Sequence, residues 1–195
     1  MENADSDNEL SFAKEQLNPM SNGECKLLGS PWDKPNDTLR VVFPATPEKV
    51  TRRAVLAHLA RIYDPLGVVS PVTLLGKQIY RETCLMKLAW DAPLPEEITV
   101  KWNKWVRSLP SSVSVPRSIP EHQENINEIQ LHAFGDASGR GVCAIVYAVV
   151  TQDSGISQGL VSAKSRLAKE DLTIPRLELV AGHMAVNLAS NLRTA

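Results

Sequence analysis

The stretch Val142–Val150, VCAIVYAVV, constrains the fold more than any other part of the chain. It is almost wholly apolar, yet it is far shorter than the ~20 residues that a membrane-spanning helix needs. Such a run reads as a strand that other elements must pair with and cover. Its neighbours fit that role. Ile129–Asp136 alternates loosely between apolar and polar residues, and Gln158–Lys164 is another short candidate strand. Gly/Ser turns separate the three. After them comes one amphipathic helix, Ile174 to Leu192, which Gly182 and Asn187 weaken modestly. Three strands followed by a helix open an α/β or α+β domain.

The first half of the chain has a different pattern. Residues 1–22 lack apolar periodicity and are expected to be a disordered lead-in. Lys26–Gly29 and Leu39–Phe43 are β-like, and Asp33-Lys-Pro-Asn-Asp37 between them has turn chemistry, which predicts a hairpin within 23–46. Three helices are predicted over 47–109. Thr46-Pro47-Glu48 supplies a capping hydroxyl, a proline at the first helical position and an acid in the first turn. Val55, Leu56, Leu59 and Ile62 then recur at helical spacing until Asp64-Pro65. Ser70-Pro71 starts a second helix, expected to end near Trp90, and Pro95-Glu96-Glu97 starts a third with Ile98, Trp102, Trp105, Val106 and Leu109 on one side. Residues 110–127, rich in proline, read as a linker to a domain over 128–195.

Composition removes several function classes. A net charge of −1 gives no general attraction to nucleic acid or anionic membrane, so any such contact must use a local basic stripe. Cys25, Cys84 and Cys143 are far apart and in no metal-binding spacing, as expected of reduced thiols in a cytoplasmic or nuclear setting. The acidic N-terminus is unlike a signal peptide, and the chain is expected to be soluble, with no membrane partner.

Two carboxylates stand out. Glu178 falls about 70° from the centre of the stripe formed by Leu177, Ala181, Met184, Leu188 and Leu192, in the first turn of its helix. A first-turn glutamate is equally at home in solvent. Asp136 ends a strand among Ala133, Phe134 and Ala137, where an ordinary turn aspartate would also fit. Together they suggest more, because a strand-end carboxylate and one on a helix packed against that sheet can converge. Convergent carboxylates repel unless a cation lies between them, and oxygen ligands suit Mg²⁺ or Mn²⁺. Such sites hydrolyse phosphodiesters. The two side chains are expected to meet across the strand–helix contact.

LHAFGDASGRGVCAIVY (131–147) and SAKSRLAKEDLTIPRLELVA (162–181) closely resemble the ribonuclease H-like segment of BEL/Pao retrotransposon Pol proteins. TRRAVLAHLARIYDPLGVVSPVTLLGKQIY (51–80) and LAWDAPLPEEITVKWNKWVRSL (88–109) resemble the stretch before it, and LLGSPWDKPNDTLRVVF (27–43) looks like the end of the reverse transcriptase. The resemblance implies an α+β chain: a small thumb- or connection-like helical subdomain, then a partial ribonuclease H-like sheet of three strands with one helix. It implies Asp136 and Glu178 as the first two metal-binding carboxylates. It also implies an RNA/DNA hybrid or template–primer, together with the remaining Pol domains, as partners. The family fold needs further acids on later elements, whereas Leu179–Ala195 contains no Asp or Glu. The metal pair is therefore expected to be vestigial and the chain catalytically incomplete. The sequence also contains no Asp-Asp pair of the kind a polymerase uses.

Two other readings stay open. Family members are often labelled as Pao retrotransposon peptidases, and an aspartic peptidase needs an Asp-Thr/Ser-Gly turn. Asp136-Ala137-Ser138-Gly139 has alanine at the hydroxyl position, and Asp153-Ser154-Gly155 reads more simply as a hairpin turn. The chain could also be a non-enzymatic, domesticated binding module. Lys101, Lys104 and Arg107, spaced three apart opposite Trp102 and Trp105, could contact phosphates, although a solvated helix face fits them as well. The two tryptophans are expected in the core.

Overall fold

The computed structural model describes residues 25–27 and 29–194. The expected lead-in at 1–22 lies outside them. Four helices and two antiparallel sheets make up the described residues, so the chain is α+β. The first sheet contains β1 (Cys25–Leu27), β2 (Ser30–Asp33), β3 (Thr38–Val42) and β4 (Ser112–Pro116), in that spatial order. Three helices intervene between β3 and β4: α1 (Arg52–Ala60), α2 (Ser70–Leu85) and α3 (Glu96–Ser108). The second sheet is a meander of β5 (Ile126–Ala137), β6 (Gly141–Gln152) and β7 (Gly155–Leu167), followed by α4 (Ile174–Arg193).

The first sheet is larger than the single hairpin expected within 23–46. Ser30–Asp33 pairs on one side with β1 and on the other with β3. β4 then pairs with β3 along its whole length, from Thr38 opposite Pro116 to Val42 opposite Ser112. Residues 112–116 of the expected 110–127 linker are thus a strand, Arg117 N–H extends its pairing by donating to the Asp37 carbonyl, and Ile126 and Asn127 already belong to β5. The Asp37 carboxylate locks this arrangement: it accepts from the Trp32 indole at 3.0 Å and from both arms of Arg117, at 2.5 and 2.8 Å. Arg117, just beyond β4, also stacks over the Trp32 ring at 5.5 Å.

α1 starts five residues later than the Thr46-Pro47-Glu48 signal predicts. Backbone pairing with another segment wins there: Leu94 N–H donates to the Val50 carbonyl, and Thr51 bridges Pro93. With those groups committed, Thr51 becomes the cap, its hydroxyl accepting from Ala54 N–H at 3.2 Å. α2 starts as expected at Ser70, with the Asp64 carboxylate accepting from Val68 and Val69 N–H at 2.9 Å each. It ends at Leu85 rather than near Trp90 because Lys87 adopts a left-handed φ of 52°. α3 matches expectation, burying Ile98, Trp102, Trp105 and Val106. The tryptophans are core residues. Each fully buried large side chain of this kind contributes roughly 1.5–3 kcal/mol.

The helical region docks on the outer edge of β7. Ala163 N–H donates to the Leu66 carbonyl at 2.7 Å, and a Cβ at Gly67 would lie 1.8 Å from the Ala163 carbonyl oxygen. Only glycine fits there, at a φ of 77°. Ser165 donates to the Ser70 carbonyl at 3.1 Å, and Arg81 to the Ala168 carbonyl at 2.6 Å.

Among the described residues, the helical core leaves His58 Nε2 and the Trp102 indole Nε1 buried without a hydrogen-bond partner. His58, 3% exposed, stands edge-on to Trp102 and Trp105, with ring centroids 5.3 and 5.9 Å away. Its Nε2 has no hydrogen-bond partner among the described residues. Burial pushes its pKa down, a backbone bond to Ala45 opposes this, and the Arg61 charge adds to the lowering. The folded state therefore binds a proton less readily than the unfolded chain. Stability is fully present above the ordinary value of 6.5 and declines as pH falls from there toward the depressed folded pKa. Thermal melts between about pH 7.5 and about pH 5.5 should show a falling Tm in the native chain and a smaller fall in His58→Phe. Identical pH slopes in both would contradict this reading.

Candidate metal and nucleic-acid site

The covered face of the second sheet positions the carboxylate pair. Val142, Ala144 and Val146 of β6 pack against Leu177, Ala181, Met184, Ala185 and Leu188 of α4. Beyond α4 the same face carries the 118–125 segment: Ile119 meets Gly159, and the buried Gln152 bonds to backbone of His122 and Glu124. The opposite face is open, with Tyr147 exposed and Ile145 and Val149 half-buried. Along β5, the residues from Ile126 to Asp136 are all exposed.

β5 and β7 finish at the same end of the sheet, where Gly141 pairs with Leu167. α4 starts there and runs back along β5. Its closest approach is at Gly135, where a Cβ would lie 2.5 Å from the Ala181 carbonyl oxygen and 3.0 Å from Gly182 N. Gly135 and Ala137 therefore face the helix. Strand alternation then directs Asp136 to the other face, opposite Cys143. Glu178 lies one turn before Gly182, on the β5 side of α4, and because the helix starts at Ile174 it falls in the second turn rather than the expected first. Moving ~4.5 Å along the helix from Ala181 to Glu178, and ~3.3 Å along the strand from Gly135 to Asp136, leads to the same end.

The two carboxylates are thus level with each other but leave opposite sides of β5. This corrects the expected meeting across the strand–helix contact. A helix can come this close only over a residue without a side chain, so Gly135 occupies the helix-facing position and Asp136 cannot. The pair flanks the outer edge of β5, which no strand among the described residues covers. Both side chains are exposed. Among the described residues, no group of three or more His, Cys, Asp or Glu side chains is placed to hold a metal ion.

The basic stripe on α3 is broken. Lys101 is held between Glu97 at 2.9 Å and Glu82 at 3.1 Å, and those bonds, Glu97 first, raise its pKa. Lys104 and Arg107 remain beside Val100 and Asn103 in an open surface depression. Sequence reasoning missed two further cations. Lys164 and Arg166 of β7 pair across from Ala144 and Val142, on the α4 side of the sheet, and both are exposed. Their alternation with Ala163 and Ser165 was the available signal.

Asp153 and Ser154 form the exposed β6–β7 turn, with Gln152 opposite Gly155. Asn127 donates to the Asp153 carboxylate at 2.7 Å, and Glu124 accepts from both the Ser154 N–H and its hydroxyl. The Asp-Ser-Gly string is thus a hairpin turn, as its sequence suggests. No described helix is long and apolar enough to cross a membrane.

A three-stranded antiparallel meander with one helix packed back across it, an acid at the strand end and another in the second turn of the helix, defines a ribonuclease H-like α+β arrangement. Residues 51–195 match the family model described as the Pao retrotransposon-like RNaseH-like domain, and the chain belongs to that family. No curated protein matches it significantly.

The close approach at Gly135 has a measurable consequence. Gly135→Ala should destabilise the chain by about 2 kcal/mol, since α4 must lift away from β5. Gly182→Ala, where a Cβ meets nothing within 4 Å, should instead be neutral or stabilise by up to about 1 kcal/mol. Denaturant titrations giving equal effects for the two would overturn the packing described.

Proposed function

We propose that this chain is a segment of a BEL/Pao-type Pol polyprotein, joining the end of a reverse transcriptase to a ribonuclease H-like domain with an incomplete catalytic site. Family membership supports the retrotransposon origin. What supports the site reading is the β5 register, which turns Asp136 to the open face, together with the close approach of α4 at Gly135, one residue before Asp136 and about one helical turn past Glu178. A Mg²⁺ or Mn²⁺ ion fits that donor set in kind, because both groups supply hard oxygen ligands. When bound, such an ion would supply Lewis-acid activation of water and of a phosphoryl oxygen.

The chain's own residues do less than a complete site requires. Two exposed carboxylates leave most of the coordination shell to water, so the ion is held weakly and loosely. A misplacement near ~1 Å can cost about a hundredfold in rate. Lys104 and Arg107, with Lys164 and Arg166, offer phosphate contacts for an RNA/DNA hybrid or template–primer. Lys101 contributes least of the α3 cations, being held by two glutamates. The remaining Pol domains are the natural partners for cleavage.

Mn²⁺ titration by calorimetry, alongside cleavage of a labelled RNA/DNA hybrid, tests this reading. The expected result is weak binding that is lost in both Asp136→Asn and Glu178→Gln, with little or no cleavage by any form. Robust Mg²⁺-dependent cleavage abolished by Asp136→Asn would overturn the incomplete-site reading. Binding unchanged in both variants would overturn the site itself.

A further inference from the structure

The chain's charge is unevenly divided. Residues 1–24 hold six of its 22 acids and one cation, Lys14, a net −5. The rest of the chain holds 20 cations against 16 acids, a net +4. The overall −1 therefore joins an acidic segment to a basic body. Leu10, Phe12 and Leu17 stand among the acids of that segment, which leads into β1 at Cys25.

A complementary surface lies on α3. Lys104 and Arg107, three residues apart, border an open depression of about 370 Å³ together with Val100 and Asn103. Val100 is 59% exposed. Lys101 is already held by Glu82 and Glu97, whereas neither Lys104 nor Arg107 has an ion-pair partner among the described residues. Two such cations beside an exposed valine suit a ligand that offers carboxylates and apolar side chains together.

We propose that residues 5–17 dock on this depression, with their acids on Lys104 and Arg107 and with Leu10 and Phe12 on Val100, and so compete with phosphates for the same two cations. The inference rests on the reading of Lys104 and Arg107 as phosphate contacts and supplies its regulation. The reach is sufficient. β1 and β4 are the outer strands of the first sheet, three strand spacings or about 14 Å apart. β4 begins four residues after α3 ends at Ser108. Glu15 and Asp5 lie ten and twenty residues before Cys25, and a coil of that length spans roughly 16–27 Å. A tether of this kind holds its ligand at an effective concentration on the order of millimolar, which offsets the weakness of exposed ion pairs.

Two measurements on the full chain test the docking. In a Cys84→Ser, Cys143→Ser background, Asn8→Cys leaves one accessible labelling site, because Cys25 is buried. A nitroxide there should broaden the amide signals of Val100 to Arg107, and the effect should fade in roughly 0.5 M salt, where screening is strong. Neutralising the segment with Asp5→Asn, Asp7→Asn, Glu9→Gln and Glu15→Gln should tighten binding of a labelled RNA/DNA hybrid about tenfold, read by anisotropy. That gain should vanish when Lys104→Ala and Arg107→Ala are added. Absence of broadening on α3 would overturn the proposal. An equal gain in the Lys104→Ala, Arg107→Ala chain would also overturn it, since general repulsion would then explain the effect. Broadening on α3 with no hybrid binding by either form would support the docking and overturn only the phosphate-contact reading.

Discussion

The contact between the Ala181 carbonyl and Gly135 sets the geometry of the second domain. A helix seated this close to a strand cannot tolerate a side chain at the point of contact, and strand alternation then fixes every neighbour. Ala137 joins the covered core. Asp136 is turned to the open face. The large residues Leu177, Met184 and Leu188 lie in the apolar core with β6, while the small flank of α4, with Glu178 at its start, lies along β5. The relation between the two carboxylates is thus a consequence of packing, settled by a residue that carries no chemistry of its own.

The helical region contributes by closing the other side of the sheet. Its turn at Leu66–Gly67 pairs with β7, and Arg81 reaches the Ala168 carbonyl just before the connection to α4. That connection determines where α4 begins, and so where along the sheet Glu178 lies. The tryptophan pair and His58 hold the three helices in register behind this contact. The exposed ion pairs, Arg53 with Asp91 and Lys101 with two glutamates, add little stability, since solvent screens them.

Much of this was legible in the sequence, and the exceptions share a cause. The meander and α4 were readable because apolar runs, turn residues and helical spacing agree there. α3 was readable because its Pro-Glu-Glu start and tryptophan spacing coincide. β2 and β4 were not, because Ser-Pro-Trp-Asp and Ser-Val-Ser-Val-Pro are short and polar and gain their strand character only by pairing with β3. The early start expected for α1 failed for the same reason: Val50 and Thr51 had partners far along the chain. The identities of Asp136 and Glu178 as candidates came from position and motif. Their facing did not, because helical periodicity and strand alternation fix directions only once the contact between the two elements is known.

The proposed cation site has Asp136 and Glu178 on either side of the β5 edge. Paramagnetic broadening of backbone amide signals by substoichiometric Mn²⁺ tests it most directly, since it reports location even at low affinity. The account predicts selective broadening around both Asp136 and Glu178, reversed by excess Mg²⁺. Broadening confined to one of them, or centred on the Glu82–Glu97 pair instead, would contradict it.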